Sequence, residues 1–178
     1  MGDVWLARDD ELGSEVVTKI IPADATPEQI SLLRQECRNA RGLSHPYIVR
    51  VFDFHQDPQA SFITMEYAAG GDLCELRGGS PKQIAQILLP LVDALQYAHH
   101  EGVIHRDLKC SNVLIDQAGR PRLSDFGIAG LAAPGPLDLQ ISGGGSGHHA
   151  SPQQLAGEPP SPADDIYGLG IMLRDLLG

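Results

Sequence analysis

The chain has 178 residues, 42% apolar and 20% charged, which suits one domain of ordinary size or two small packed lobes. A formal net charge of -10 argues against general nucleic-acid binding, because a phosphate backbone demands a basic surface, but it leaves room for one local basic site for a nucleotide. No long apolar run is present, so no membrane span is expected, and Met1-Gly2-Asp3-Val4 has neither the basic start nor the apolar stretch of a secretion signal.

Taken in chain order, Val4 to Ala7 and Glu15 to Ile21 read as strands of a hairpin turned at Gly13-Ser14. A helix follows, with Thr26 as N-cap, Pro27 at the first helical position and Gln29 completing a capping box. Its apolar face carries Ile30, Leu33 and Cys37, and Gly42 suits its end. Tyr47 to Phe54 and Ser61 to Tyr67 read as two more strands, and Ala69-Gly70-Gly71-Asp72 then breaks the pattern as a hinge. Ser80-Pro81 opens a long helix with Ile84, Ile87, Leu88, Leu91, Val92 and Leu95 at three-and-four spacing, bent at Pro90 and ended by Gly102. Short apolar segments at 113–115 and 122–124 flank a turn at Gln117-Ala118-Gly119. Residues 130–161, rich in Gly, Pro and Ser, read as mobile, and a last helix runs from about Ala163 to Leu177. Cys37, Cys74 and Cys110 lie far apart without metal-ligand spacing, which predicts reduced thiols and a cytoplasmic location.

The chemistry concentrates in His105-Arg106-Asp107-Leu108-Lys109-Cys110-Ser111-Asn112, followed by Asp125-Phe126-Gly127. This pairing resembles the signature of the protein kinase domain. With Lys109 in place, the resemblance is to the serine/threonine type, in its bacterial branch. It implies an α+β fold of two lobes, a small antiparallel sheet with one helix and a mainly helical part. It also implies transfer of the γ-phosphoryl of ATP to Ser/Thr hydroxyls of protein substrates, with ATP and Mg²⁺ as cofactors. Phosphoryl transfer gathers negative charge on oxygen, so cations must neutralise it. By the resemblance Asp107 is the catalytic base, Lys109 reaches the transferring phosphate, and Asn112 and Asp125 hold the metal. Lys19, in Val16-Val17-Thr18-Lys19, corresponds to the strand lysine that grips the α- and β-phosphates, and Glu36 to its helix partner. In Ile63-Thr64-Met65-Glu66-Tyr67-Ala68, Met65 matches the gatekeeper, while the Glu66 carbonyl and Ala68 amide would meet the adenine edge. Val4, Val17 and Leu114 would sandwich the ring, Asp72 would sit near the ribose, and Gly2 is the last glycine of the phosphate loop. In the loop after Gly127, Ser146 matches a threonine that contacts Asp107 and Lys109, Ser142 is a candidate for weak regulation, and Asp165 matches an aspartate that braces the catalytic loop.

The resemblance covers nearly the whole chain as a partial domain. Residues 1–68 would form an N-terminal lobe lacking its first strand, and residues 69–178 a C-terminal lobe lacking its final helices. Met1 is accordingly expected to be an internal methionine. Ser151-Pro152-Gln153 stands where the family has Ala-Pro-Glu. These departures favour, as the alternative, a kinase-like interaction module without catalysis; a small-molecule phosphotransferase is disfavoured by Lys109.

Overall fold

A computed structural model describes residues 3–11, 13–22, 25–126 and 148–178, without the side chains of Pro22 and Glu36. The N-terminal part is a four-stranded antiparallel sheet of β1 (Asp3–Asp9), β2 (Ser14–Pro22), β3 (Val51–Gln56) and β4 (Ala60–Glu66), in the order β1-β2-β4-β3. Gly13, at a φ of 67°, makes the β1–β2 turn in the left-handed region where a side chain is costly. Helix α1 (Pro27–Arg41) joins β2 to β3 and packs on β3 and β4. Its predicted capping box forms: Thr26 Oγ1 accepts from the Gln29 amide at 3.3 Å, and Gln29 Oε1 accepts from the Thr26 amide at 2.8 Å.

The C-terminal part is built on α2 (Pro81–His100), which runs through Pro90, and α4 (Pro162–Leu177), with the short α3 (Pro152–Leu155) before it. Between them lie a 3₁₀ turn at Cys110–Asn112 and the antiparallel pair β5 (Val113–Ile115) and β6 (Pro121–Leu123). Leu91, Leu95, Leu108, Leu123, Met172 and Leu176 are buried in a core continuous with that under the sheet. Of the predicted apolar face of α2, Val92 departs and is 43% exposed.

Three expectations change. The stretch from Tyr47 is not strand until Val51, because its backbone pairs elsewhere: the Leu123 amide donates to the Tyr47 carbonyl at 2.8 Å, and the Val49 amide to the Leu123 carbonyl at 2.9 Å. Of the segment read as mobile, residues 148–161 include helix α3, and the remainder lies outside the described residues. Cys74 and Cys110 are not reduced thiols but a disulfide, with Cα atoms 4.9 Å apart. Folding packs the 3₁₀ turn Leu73–Leu76 against the turn Cys110–Asn112, so residues 36 apart in sequence meet.

Candidate active site

Strand pairing decides what surrounds Lys19. Alternate residues of a strand share a face, as do directly opposed residues of neighbouring strands. Lys19 opposes Val4 on β1 and Ile63 on β4, while Val17 opposes Leu6 and Met65. Val4, Val17, Lys19 and Met65 therefore share one face of the sheet. Met65 is buried, Val17 is half-buried and Val4, on the outermost strand, is 64% exposed. Lys19 itself is 5% exposed, and its Nζ lies 2.8 Å from Asp125 Oδ1. A strand of the sheet and the loop after β6 are thus joined by one ion pair. Burial acts to raise the Asp125 carboxyl, but the charge and hydrogen bond of Lys19, with the charges of His105 and Lys109, outweigh it and hold the group below the usual aspartate range.

Around Asp107 a second set of contacts closes. Lys109 Nζ lies 2.8 Å from Asp107 Oδ2. Asn112 Nδ2 donates to the Asp107 carbonyl at 2.8 Å and to Asp107 Oδ2 at 3.1 Å, which leaves the amide oxygen of Asn112 for another partner. The buried His105 places Nε2 2.8 Å from the Ser124 carbonyl and its ring against Phe126. The two loops that carry Asp107 and Asp125 are thereby tied to each other.

Arg106 and Asp125 are the described non-glycine residues with positive φ, at 63° and 59°. Left-handed backbone at such residues costs on the order of 1–3 kcal/mol and persists only where the surroundings enforce it. At Arg106 the enforcement is visible. The buried Asp165, in the first turn of α4, accepts from the Arg106 amide at 2.7 Å through Oδ1 and from the His105 amide at 3.0 Å through Oδ2. His99 Nε2 lies 2.7 Å from the same Oδ2. From α3, Gln154 Nε2 donates to the Arg106 carbonyl at 2.9 Å, and Arg106 Nε lies 3.7 Å from Asp164 Oδ2.

The remaining predicted residues are distributed as follows. Asp72 Oδ1 caps the 3₁₀ turn by accepting from the Cys74 amide at 2.8 Å, and Asp72 bridges Leu114 of β5. Ala68 lies half-buried in the loop after β4. That loop is fastened to β5, with the Gly70 amide donating to the Ile115 carbonyl at 2.7 Å and the Ile115 amide to the Gly71 carbonyl at 2.9 Å. A Cβ at Gly70 would lie 2.7 Å from that same Ile115 oxygen, so the approach requires glycine. The Glu66 side chain pairs with Arg122 and accepts from the Arg50 amide. Glu36 belongs to α1, but its side chain lies outside the described residues, as do Gly2, Gly127, Ser142 and Ser146.

The sequence reading passed over His99, Asp164 and Gln154. For Gln154 a signal was available: Thr26-Pro27-Glu28-Gln29, Ser80-Pro81-Lys82-Gln83 and Ser151-Pro152-Gln153-Gln154 are one pattern, and each forms a capping box. Attention to Gln153 missed its neighbour; Gln153 is exposed and Gln154 is the buried amide. A separate hollow lined by residues including Tyr47, Leu76, Ile87, Pro90 and Arg120 shares no residue with the site.

Known proteins are similar to this chain along nearly its whole length. The protein kinase domain family matches residues 1–178. The serine/threonine-protein kinase PrkC of Bacillus subtilis is 36% identical over 183 residues, covering 99% of this chain and 28% of that protein. A probable serine/threonine-protein kinase of Streptomyces coelicolor is 32% identical over 189 residues, covering 99% of this chain and 28% of its own length. The serine/threonine-protein kinase PknA of Mycobacterium tuberculosis is 32% identical over 183 residues, covering 97% of this chain and 42% of that protein. The chain thus spans less than half the length of these relatives. With its α+β fold and a family match along its whole length, the chain belongs to the protein kinase domain family.

Proposed function

We propose that this domain transfers the γ-phosphoryl of ATP to Ser/Thr hydroxyls of protein substrates. The observation that carries this reading is the 2.8 Å contact between Lys19 of the sheet and Asp125 of the loop after β6, made beside the Asp107–Lys109–Asn112 cluster. It defines one place where a triphosphate would meet a buried cation on one side and carboxylates on the other. In the transfer, the substrate hydroxyl oxygen bonds to the γ-phosphorus, the bond to the bridging oxygen breaks, and ADP departs. Asp107 receives the hydroxyl proton at its carboxylate. Lys109, held against Asp107, is placed to neutralise charge on the transferred group.

Mg²⁺ fits the donors present. The Asp125 carboxylate and the Asn112 amide oxygen are hard oxygen ligands, and magnesium needs few from protein when phosphates supply others. When bound, the ion neutralises charge on the β- and γ-phosphates; Asn112 and Asp125 would hold it. Among the described residues no group of three or more His, Cys, Asp and Glu suits a metal. For the nucleotide, Val4, Val17 and Leu114 would pack the adenine beside Met65, with the Glu66 carbonyl and Ala68 amide at its edge. Asp72 would lie at the ribose, Gly2 over the phosphates, Glu36 beside Lys19 and Ser146 at the substrate. The partners are ATP and proteins bearing Ser/Thr, with no nucleic acid among them. No helix among the described residues is long and apolar enough to cross a membrane, and use of ATP supports a cytoplasmic location.

The test is ATP-dependent labelling of a generic protein substrate. Asp107→Asn should lower turnover by about a hundredfold or more. Calorimetry should show Mg²⁺-dependent ATP binding that Lys19→Ala weakens. Equal labelling by the wild type and Asp107→Asn would refute catalysis at this site and leave the interaction-module reading.

A further inference from the structure

The disulfide lies where a structural staple would be out of place. Cys110 directly follows Lys109 and stands two residues before Asn112, while Cys74 is the residue whose amide Asp72 caps. The bond therefore adds a covalent tie between the loop carrying Asp107 and the turn that follows the hinge, two segments that already pack on each other. Its two residues differ in exposure, Cys110 being 6% exposed and Cys74 half-buried. Arg77 Nη2 lies 3.5 Å from Cys110 Sγ, so a hydrogen-bond donor already faces the inner sulfur. In the cytoplasmic location proposed above thiols are kept reduced, and disulfides there are transient.

We propose that Cys74 and Cys110 form a thiol–disulfide exchange site whose oxidation state sets the order of the catalytic loop. Its consequence for nucleotide affinity rests on the kinase reading above. The reagent class is a dithiol. One of its thiolates attacks Sγ of Cys74, the more exposed residue; the S–S bond breaks, and its electron pair leaves on Cys110 Sγ, which Arg77 faces and which takes up a proton. The second thiol of the reagent then attacks the mixed disulfide and releases Cys74. Two cysteine thiols and one oxidised reagent result. The reverse reaction, with a disulfide reagent as electron acceptor, restores the bond. The observed contacts of Lys109 and Asn112 with Asp107 belong to the bonded form, so the oxidised domain is the ordered one.

The test equilibrates the full chain in buffers of reduced and oxidised dithiothreitol, blocks thiols by alkylation and reads them by mass spectrometry. Amide hydrogen exchange over residues 105–114 and calorimetry with Mg²⁺ and ATP accompany it. Oxidised wild type should yield the linked Cys74–Cys110 peptide. Reduction should expose both residues to alkylation, speed exchange across the catalytic loop and weaken ATP binding several-fold. Cys74→Ser should behave as the reduced wild type in every buffer, and thermal melting identifies a variant that fails to fold. Faster exchange on reduction, with no ATP binding in either state, supports the exchange site and refutes the kinase reading instead. Absence of the linked peptide in all buffers, or identical loop exchange in both states, overturns the proposal.

Discussion

Asp125 combines backbone strain with electrostatic stabilisation in one residue. It is left-handed, it borders the buried Lys19, and its carboxyl is held below the usual aspartate range. A depressed carboxylate contributes stability that is fully present above the ordinary aspartate pKa of about 3.9 and lost as pH falls through the lowered value. Thermal melts of the wild type and Asp125→Asn should therefore differ at neutral pH and converge only below about pH 4. A gap that stays constant to acid pH would assign the difference to something other than the ion pair. Residues of this kind were legible in the sequence because Asp107, Asn112 and Asp125 sit in short strings that few other folds need. Asp165 could be read from its resemblance, but the bond of His99 to it could not, since a helix end offers a histidine many possible neighbours. Cys74 and Cys110 were misread for a similar reason: sequence spacing carries no record of which turns pack together.

Among the elements, α3 has an influence out of proportion to its four residues. Its N-cap Ser151 and Gln154 exchange hydrogen bonds at 3.0 Å each way, and Gln154 Nε2 still reaches the Arg106 carbonyl. Gln154→Ala should destabilise the domain by about 1–2 kcal/mol in chemical denaturation, from the lost cap bond and the stranded carbonyl. If the domain acts as proposed, it should also reduce kcat while leaving KM for ATP nearly unchanged, because the contact orients the loop of Asp107 rather than the residues proposed to line the nucleotide. Gln154→Glu would set a buried carboxylate oxygen against the Arg106 carbonyl, so it should destabilise at least as much as Gln154→Ala. Gln153→Ala, at an exposed position, is the matched control. The starts of α1 and α2 were readable, since an N-cap and a proline act locally, whereas the same signal at Ser151 lay inside a Gly/Pro/Ser-rich stretch. The stretch from Tyr47 to Arg50 was the least readable, because β6 claims its backbone and β6 lies far along the chain.

For the molecule as a whole, the outer side of β1 is unpaired among the described residues, and Val4, Trp5 and Leu6 are 64%, 60% and 53% exposed. An apolar edge strand offers its backbone to a second chain. Trp5→Lys should lower concentration-dependent self-association in sedimentation velocity, whereas an unchanged profile would place association on another surface. The fold class was legible through the resemblance carried by the strings around Asp107 and Asp125, while the degree to which the two parts are fastened together was not. The connection from α1 to β3 is hydrogen-bonded to β6 at Tyr47 and Val49, and the passage from the sheet to the helical part is hydrogen-bonded to β5 at Gly70 and Gly71. Bonds at two separate places oppose sliding of the sheet over the β5–β6 pair, and that keeps Lys19 in register with Asp125.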